Sequence, residues 1–544
     1  MQTRQRGGQQ NTAERACGEA EASEEEQWQA LEAKYQHQLK ALEAKYEQLL
    51  QEQEAKHQEQ LQAQKSKYEQ LLQEQEAKHQ EQLQALESKY EQQLQQTLAR
   101  IGELERRLSK DSHNSSKPPS SDGLRRKTQS QRKPSGKKSG GQQGHPGVTL
   151  SMVACPDAIV SHRAASCQQC GGTLQEREGR LVERRQVHDL PEIRLRVTEH
   201  QVEETTCPQC QHINRGSFPP EVSAPVQYGP RLRAWAVYLN QYQMISVERT
   251  CQTLWETLGC ALSEGTLLSW IQGASKGLVS TMEQIKSRLL ASRLLHPDET
   301  GIHLDGKLAW LHTVSTRFLT YLAWHRKRGR LAIEAIGIIP QFAGRIMRDR
   351  WSSYDHYDCD QSICGAHLLR DLTRIWQHYK QKWARTMHRL LVALNRLAWY
   401  WRNRGANCIP KPIRDRWVAR YFRVLAIGYA AQPPPEPRPA GRRGPQAQTE
   451  PKNLLDALLH RAHQVLAFLD DLTIPFTNNQ AERDLRMVKV QQKVAGTFRS
   501  EDGATAYSRI RSYLSTMHKQ GRPLLEALAA VFLGHPFPIA FSLG

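Results

Sequence analysis

The sequence predicts a multidomain protein in which an α/β domain with a helical insertion follows a long α-helical coiled coil and a small zinc-binding module. Its 544 residues exceed what one hydrophobic core usually supports, and an N-terminal stretch repeats itself almost without proline or glycine. Two Cys-x-x-Cys pairs come next, and short β-like runs then give way to helical patterns. We therefore expect six regions: a coiled coil (25–108), a basic linker (109–150), a zinc-binding module (151–225), a helical region (226–290), an α/β domain (291–490, with its helical insertion at 365–475) and a C-terminal segment (491–544).

The charge balance favours a polyanionic partner. Lysine and arginine number 75 against 56 aspartates and glutamates, a formal net charge of +19, which favours a partner such as nucleic acid. No apolar run reaches the ~18 residues of a membrane span, and the first residues, MQTRQRGGQQ, lack the apolar core of a signal peptide. We expect a cytoplasmic protein with no membrane partner.

Residues 25–108 predict one long exposed helix with an eleven-residue repeat. Eleven residues make three helical turns at about 3.67 residues per turn, so a stripe with this period predicts a straight or slightly right-handed coiled coil and hence a homo-oligomer. A solvated single helix is the alternative. The leucines of the stripe are Leu39, Leu50, Leu61, Leu72, Leu83 and Leu94.

The segment after this helix is polar and basic. It opens with NSSKPPSSDG, and seven lysines and arginines lie between Arg125 and Lys138 without an acid. Such a segment cannot bury enough surface to fold alone. Because its cations would gain from phosphate contacts through counterion release, the linker is also predicted to be an electrostatic arm.

Two pairs of cysteines predict a structural zinc site. Cys167 and Cys170 form one knuckle-like pair and Cys207 and Cys210 the other, and four thiolates suit one tetrahedral Zn²⁺ without an open catalytic position. The intervening EIRLRVTEHQV alternates as a strand does, so a hairpin is expected to bring the pairs together. Free thiols are the alternative. The possible substitute ligands are Cys155, His162, His188 and His200.

The remaining sequence predicts helices, then strands, then helices again. Two short helices are expected around Gly259, with Ser263 capping the second; they suit either a DNA-binding helix-turn-helix or ordinary helix packing. Asp305-Gly306 predicts a hairpin turn between the first two strands. The β-like runs are RLLHPDETGIHL, KLAWLHTVST, FLTYLAW, IEAIGII and GRIMRDRW. Helices follow from about 365 to 430 and from 453 to 470, separated by a proline-rich loop.

Three carboxylates are candidate ligands of catalytic metal ions. Asp298 lies in HPDET at the start of a β-like run, Asp349 ends another in MRDRW, and Glu482 lies in TNNQAERDL. Each has a simpler explanation: a strand-edge charge, a turn residue, and the glutamate of an Asn479-x-x-Glu482 capping box. Together they suit phosphodiester chemistry, because two Mg²⁺ (or Mn²⁺) ions bound by carboxylates can stabilise the entering and leaving oxygens.

Several motifs, taken in order, resemble the transposases of the insertion sequence 66 family: HPDETGIHLDGKLAWLHTVST, DRWSSY, CGAHLLRDL and TNNQAERDLRMVKVQQKVAGTFRS. NSSKPPSSDG, GGQQGHPG, the cysteine pairs and the helices at 245–272 extend the resemblance over residues 109–510. It implies a catalytic domain similar to ribonuclease H, with a helical insertion before the final glutamate. It also implies that Asp298, Asp349 and Glu482 are the catalytic, metal-binding triad.

The sequence departs from the family pattern at one point and leaves one motif without a role. Arg350 follows Asp349, where the family often has glycine, so Asp355 and Asp358 are the fallback ligands. The Cys-x-x-His motif of the family matches Cys364 and His367, for which local packing is as suitable a role as catalysis.

The function that the resemblance implies is a DNA transposase that cleaves and joins strands at the ends of its own insertion sequence. Its partners would be double-stranded DNA, as element ends and target, and accessory proteins of the element. Arg483, Arg486 and Lys489 would hold the DNA backbone near Glu482 or form a solvated helix face. A non-catalytic zinc-containing DNA-binding protein and a ribonuclease H-like nuclease are the alternatives.

Overall fold

The computed structural model describes residues 25–108, 147, 149–434 and 448–540. The predicted linker at 109–150 lies almost entirely outside the described residues, as does most of the proline-rich loop before residue 448. The chain divides into two compact units, Met1–Leu108 and Ser109–Gly544. Among the described helices, none combines the length and the apolar character that crossing a membrane requires.

The described residues of the first unit form one helix, α1 (Glu25–Leu108), of 84 residues. The long helix that the repeat predicts is thus present, and at ~1.5 Å per residue it is about 126 Å long. The four stripe leucines with described side chains, Leu61, Leu72, Leu83 and Leu94, are between 51% and 60% exposed in the single chain. Self-association through this stripe stays a prediction.

The cysteine module differs from the predicted hairpin. Its two strands, β1 (Glu204–Thr206) and β2 (Ile213–Arg215), are short, antiparallel and placed around the second cysteine pair. The alternating run EIRLRVTEHQV is irregular, and Val197 within it is 90% exposed. An alternating pattern forms a strand only where a partner pairs with it and covers its apolar face, and no described element does so here.

The helical region consists of four α-helices and belongs to the core of the α/β domain. The turn at Gly259, with φ 62°, ends α3, and the Ser263 hydroxyl accepts the Thr266 N–H at 3.1 Å, which confirms both predicted helix boundaries. Leu267 and Ile271 of α4 are buried in one hydrophobic cluster with residues of the sheet. The helices are α2 (Pro230–Val237), α3 (Val247–Leu258), α4 (Glu264–Gly277) and α5 (Val279–Leu290).

A five-stranded mixed sheet of order β5-β4-β3-β6-β7 forms the centre of the second unit. Its strands are β3 (Leu294–Leu304), β4 (Lys307–Ser315), β5 (Thr320–His325), β6 (Arg345–Arg348) and β7 (Asp360–Ile363). The first three are antiparallel, and β6 and β7 run parallel to β3. Asp305 and Gly306 have φ of 51° and 67°, which confirms the predicted tight turn between β3 and β4.

Two elements of the sheet region differ from the sequence prediction. The run IEAIGII is helical instead of extended: α6 (Arg330–Ile336) buries Ala332 and Ile333, and Gly337 ends it with φ 66°. Isoleucines spaced at three residues fit one helix face as well as a short strand, so the pattern alone misleads. Strand β7 is absent from the prediction because DQSI has no apolar alternation, although Gln361 and Ser362 are buried.

A set of helices lies between β7 and the last three helices of the described chain. These helices are α7 (Gly365–His378), α8 (Lys382–Arg402), α9 (Lys411–Ala430), α10 (Glu450–His460) and α11 (Ala462–Asp470). They share a second hydrophobic cluster, which includes Leu391, Tyr421 and Leu455. The chain then returns to the sheet through α12 (Asn479–Val494).

The C-terminal helices are part of the α/β domain and not a separate segment. Helix α13 (Glu501–Lys519) covers the sheet edge, where Ser512 and Thr516 hydroxyls accept backbone N–H groups of β5 at 2.8 and 3.0 Å. Helix α14 (Leu524–Phe532) packs beside it. The predicted limit at residue 490 falls inside α12, and the limit at 290 lies within one continuous core.

Candidate active site

The sheet places Asp298 and Asp349 at the same level on neighbouring strands. In the parallel pair of β3 with β6, Leu295 is opposite Ile346. Continuing this register by three residues brings Asp298 beside Asp349, which directly follows β6. Both side chains line one cleft of about 1760 Å³ at this end of the two strands.

Glu482 reaches the same cleft from the first turn of α12. Its Oε1 accepts from Arg370 Nη2 at 3.3 Å and lies 4.0 Å from His367 Nε2. No side-chain hydrogen bond caps the start of α12. The capping-box explanation of Glu482 is therefore not the geometry of the structure, and all three carboxylates named from the sequence line one cleft.

A buried asparagine joins α12 to β3 and to the start of α7. Asn478, which is 2% exposed, accepts from His296 Nδ1 at 2.8 Å and donates to the Pro297 carbonyl at 2.9 Å. Its backbone N–H donates to Cys364 Sγ at 3.1 Å. These bonds fix Glu482, four residues later, relative to Asp298. Sequence reasoning missed this role, since the partners are far apart in the chain.

Mutual repulsion and burial dominate the electrostatics of the acids. Burial, together with the Glu299 and Asp349 carboxylates, raises the pKa of Asp298 well above its usual range. Burial and the charge of Asp349 likewise raise the pKa of Glu299 to about 6. Buried carboxylates that repel one another are stabilised by a bound cation, and their oxygen donors are those that hard divalent cations prefer. Oxygen donors of this kind suit Mg²⁺ or Mn²⁺, but within the described residues the ligand atoms of Asp298, Asp349 and Glu482 do not all lie within 4.8 Å of one another.

Glu299 is a fourth acid at the cleft, and it is held by an arginine between two indoles. Arg328 pairs with Glu299 at 2.7 Å, and its guanidinium lies 4.9 Å from the Trp310 ring and 4.3 Å from the Trp351 ring. The Tyr354 hydroxyl donates to Glu299 at 3.1 Å. These contacts hold one wall of the cleft in place. Of the residues involved, the sequence indicates only Glu299, because it directly follows Asp298.

Cations surround the acids. Arg483, Arg486 and Lys489, the cations that follow Glu482 in the sequence, all line the cleft. Two further arginines of the cleft form ion pairs with acids: Arg350 with Asp371 at 2.5 Å, and Arg374 with Glu450 at 2.6 Å. The cationic lining residues are Arg317, Arg328, Arg350, Arg370, Arg374, Arg483, Arg486, Lys489 and Lys493. A cleft lined both by acids and by many cations suits a phosphate-rich substrate and divalent metal ions.

Cys364 and His367 lie next to Glu482. Cys364 is the N-cap of α7, and His367 is one turn further on. Burial opposes a charge on His367, but the Cys364 thiol raises the pKa of this imidazole to about 9. Burial alone would raise the pKa of Cys364, yet the neighbouring His367 imidazole lowers it. One donor atom each from Cys364, His367 and Glu482 lies within 4.8 Å of the other two.

The fallback acids are away from the cleft. Asp355 forms ion pairs with the buried Arg348 and, at 2.6 Å, with Arg461. Asp358 is exposed. Neither lines the cleft that contains Asp298, so the geometry favours Asp349 as the second acid of the group.

The two cysteine pairs form identical turns. The Cys167 carbonyl accepts the Gly171 N–H at 2.9 Å, and the Cys207 carbonyl accepts the Gln211 N–H at 2.9 Å. Hydrogen bonds to backbone N–H groups of the turn lower the pKa of Cys167 and of Cys207, which favours the thiolate that binds metal. Within the described residues, no three donors of the two pairs, nor of Cys155, His162, His188 and His200, lie within 4.8 Å of one another.

The fold and the cleft define a mixed α/β protein that brings acids from two strands and a late helix into one basic cleft. Comparison with protein families gives the particular assignment: the sequence model described as "Transposase IS66 family" matches residues 225–506, and the chain belongs to this family. A second model, "Family of unknown function (DUF6444)", matches residues 8–151. No curated protein matched the chain. The predicted resemblance is thus confirmed.

Proposed function

We propose that this transposase cleaves and joins DNA at the ends of its own insertion sequence through Asp298, Asp349 and Glu482. One observation supports this proposal above all: acids from β3, the end of β6 and α12 line one cleft. A group that acts only in folding needs no such convergence of distant, mutually repelling carboxylates.

We also propose that the domain has a ribonuclease H-like fold. The supporting features are three antiparallel strands followed by two parallel ones, with the first strand at the centre of the sheet. A second feature is the helical insertion between β7 and α12, before the final glutamate, as the family resemblance implies.

Asp298, Asp349 and Glu482 would hold Mg²⁺ or Mn²⁺. When bound, two such ions would stabilise the entering and leaving oxygens of an in-line phosphodiester displacement. The protein's own contribution is to position the ligands: the β3–β6 register sets Asp298 against Asp349, and the bonds of Asn478 set α12 against both. Arg370 would neutralise Glu482 or nearby phosphate.

Double-stranded DNA is the proposed partner, supported by the net charge of +19 and by the cations of the cleft. We further propose that α1 assembles the protein into a homo-oligomer able to hold two element ends, and that Cys167, Cys170, Cys207 and Cys210 bind a structural Zn²⁺. Accessory proteins of the element would act with this assembly. We propose that the protein acts in the cytoplasm, where the DNA of its element would be located.

The test is cleavage of the DNA that flanks the protein's own gene, with full-length protein and Mg²⁺. Asp298→Asn, Asp349→Asn and Glu482→Gln should each reduce cleavage by at least about 10³-fold while DNA binding is retained, and the losses should not add. Asp305→Asn is the matched control, because this turn aspartate is outside the cleft and asparagine tolerates its positive φ.

Three outcomes would contradict the proposal in different ways. Retained cleavage by Glu482→Gln would remove the third ligand, and retained cleavage by Asp349→Asn would transfer its role to Asp355 or Asp358. Sequence-specific binding without cleavage by the wild type would indicate a DNA-binding regulator. Preference for an RNA–DNA hybrid over element ends would indicate a nuclease.

A further inference from the structure

Cys364 and His367 have no part in the proposed reaction, yet they lie beside one of its acids. With Glu482 they form the one group of three potential metal-binding side chains found among the described residues, each donor atom lying within 4.8 Å of the others. Cys364 is 0% exposed, so its sulfur has no surface role.

Close packing of two helix starts builds this group. A Cβ on Gly365 would clash with the Phe476 ring, so the beginning of α7 and the segment before α12 touch without room for a side chain. The Gly365 N–H donates to the Phe476 carbonyl at 2.8 Å, and the Asn478 N–H donates to Cys364 Sγ at 3.1 Å. The sulfur, imidazole and carboxylate are therefore held together by backbone contacts.

The donors suit a transition metal and not magnesium. Thiolate and imidazole bind Zn²⁺ at about 2.3 and 2.0 Å, whereas Mg²⁺ prefers oxygen ligands. His367 Nδ1 is buried without a hydrogen-bond partner, so the ring has a nitrogen available for a ligand role once the side chains adjust. Three protein ligands leave one position of a tetrahedral ion for water.

We propose that Cys364, His367 and Glu482 form a transition-metal site that takes Zn²⁺ and competes for Glu482 with the catalytic metal centre. The inference rests on the proposed role of Glu482. Because N, S and O donors bind Zn²⁺ far more tightly than Mg²⁺, occupation of this site turns Glu482 away from Asp298 and Asp349. Free zinc then inhibits strand cleavage at constant magnesium.

Metal binding tests the site independently of activity. Full-length wild type, Cys364→Ser and Cys359→Ser are loaded with Zn²⁺ and, separately, with Co²⁺, whose sulfur-to-metal absorption reports thiolate ligation. Cys364→Ser should bind one ion fewer per chain, whereas the control Cys359→Ser, which changes another buried cysteine of the same region, should equal the wild type. Equal metal content in all three proteins overturns the site. If Cys364→Ser unfolds at a lower temperature than the wild type, His367→Asn is used to repeat the test.

Cleavage assays test the competition. Zinc should inhibit the wild type at constant Mg²⁺, and a zinc-selective chelator should restore the rate; in Cys364→Ser the half-inhibitory zinc concentration should rise at least about tenfold. Unchanged inhibition of Cys364→Ser overturns the competition, because zinc would then act elsewhere. Absence of cleavage by zinc-free wild type contradicts the proposed function instead, while the metal-binding result still decides the site.

Discussion

At the scale of single residues, the candidate site is only partly legible from sequence. The three acids could be named because each lies in a motif that resembles a family pattern, HPDET, MRDRW and TNNQAERDL. The supporting residues could not: the bond between His296 and Asn478 joins positions 182 apart, and Arg328 gains its role from rings on β4 and beyond β6. Contacts between residues so far apart in the chain produce no recognisable spacing or motif in the sequence.

The role of Asn478 gives the first prediction. Asn478→Leu keeps the side-chain size but leaves the buried His296 Nδ1 and Pro297 carbonyl without this hydrogen-bond partner. Each unsatisfied group should destabilise the folded protein by about 1–3 kcal/mol. The free energy of unfolding should fall accordingly in denaturant titrations. Asn479→Leu is the control, because Asn479 is exposed and its side chain makes no such bonds. Equal stability of the two variants would refute the bridging role.

His312 gives a prediction on pH dependence. This residue is 4% exposed in β4, and burial lowers its pKa to about 4. Between about pH 6.5 and 4 the unfolded chain binds a proton that the folded chain does not, so stability falls as pH falls, by up to about 3 kcal/mol. His312→Gln should remove this component of the pH dependence of unfolding. The exposed His356→Gln is the control. If His312→Gln gives the same pH dependence as the wild type, the pKa of His312 does not differ between the folded and the unfolded chain, and the prediction is wrong.

At the scale of elements, sequence patterns succeed where local chemistry decides the structure. The Asp305-Gly306 turn and the Ser263 cap are both as predicted. Patterns fail where tertiary contacts decide: IEAIGII becomes α6, DQSI becomes β7 because β6 pairs with it, and EIRLRVTEHQV forms no strand for lack of a partner.

The cysteine module carries a prediction about zinc. Identical turns with lowered pKa of Cys167 and Cys207 are pre-arranged for metal, and binding would draw the two pairs onto one ion. Cys207→Ser with Cys210→Ser should therefore lower the zinc content of the full-length protein by one ion per chain in elemental analysis. Cys408→Ser, which changes an exposed cysteine outside the pairs and outside the possible substitute ligands, should have no effect. An unchanged content in the first variant would mean that the ligands are misassigned.

Helix α1 carries a prediction about assembly. The described stripe leucines are about half exposed in one chain. Association that buried this exposed apolar surface would stabilise an oligomer. Deleting residues 25–108 should lower the number of chains per particle that sedimentation measures. Leu72→Gln, Leu83→Gln and Leu94→Gln together should have the same effect without shortening the helix. The same oligomer in all three proteins would place assembly elsewhere in the chain.

At the scale of the whole molecule, the core of the second unit is organised around one sheet, and residues from before, within and after the sheet contribute to it. One cluster includes Leu267 before the sheet, Ile346 within it and Leu514 after it. The insertion has its own cluster and still delivers α7 to the cleft. Sequence periodicity finds these helices but not their common core, because it contains no information on which apolar faces meet.

Charge is distributed over the second unit beyond the cleft. Helix α8 contains five cations and no acid, and Arg385, Arg389 and Arg396 fall on one exposed face, opposite the buried residues and beside Trp399, which is 63% exposed. In the described residues, no acid forms an ion pair with these three arginines. Such a face suits DNA phosphates, and it lies outside the cleft lining.

The last prediction therefore concerns the salt dependence of DNA binding. Each phosphate contact contributes about 0.9 to the slope of log K against log salt concentration, so Arg385→Gln, Arg389→Gln and Arg396→Gln together should reduce that slope by up to about 3. Measuring binding in the Asp298→Asn background separates this effect from cleavage. Lys307→Gln, Lys327→Gln and Arg522→Gln remove the same charge from exposed positions outside α8. If both triple variants lower the slope equally, the DNA responds to net charge alone, and α8 makes no contact of its own.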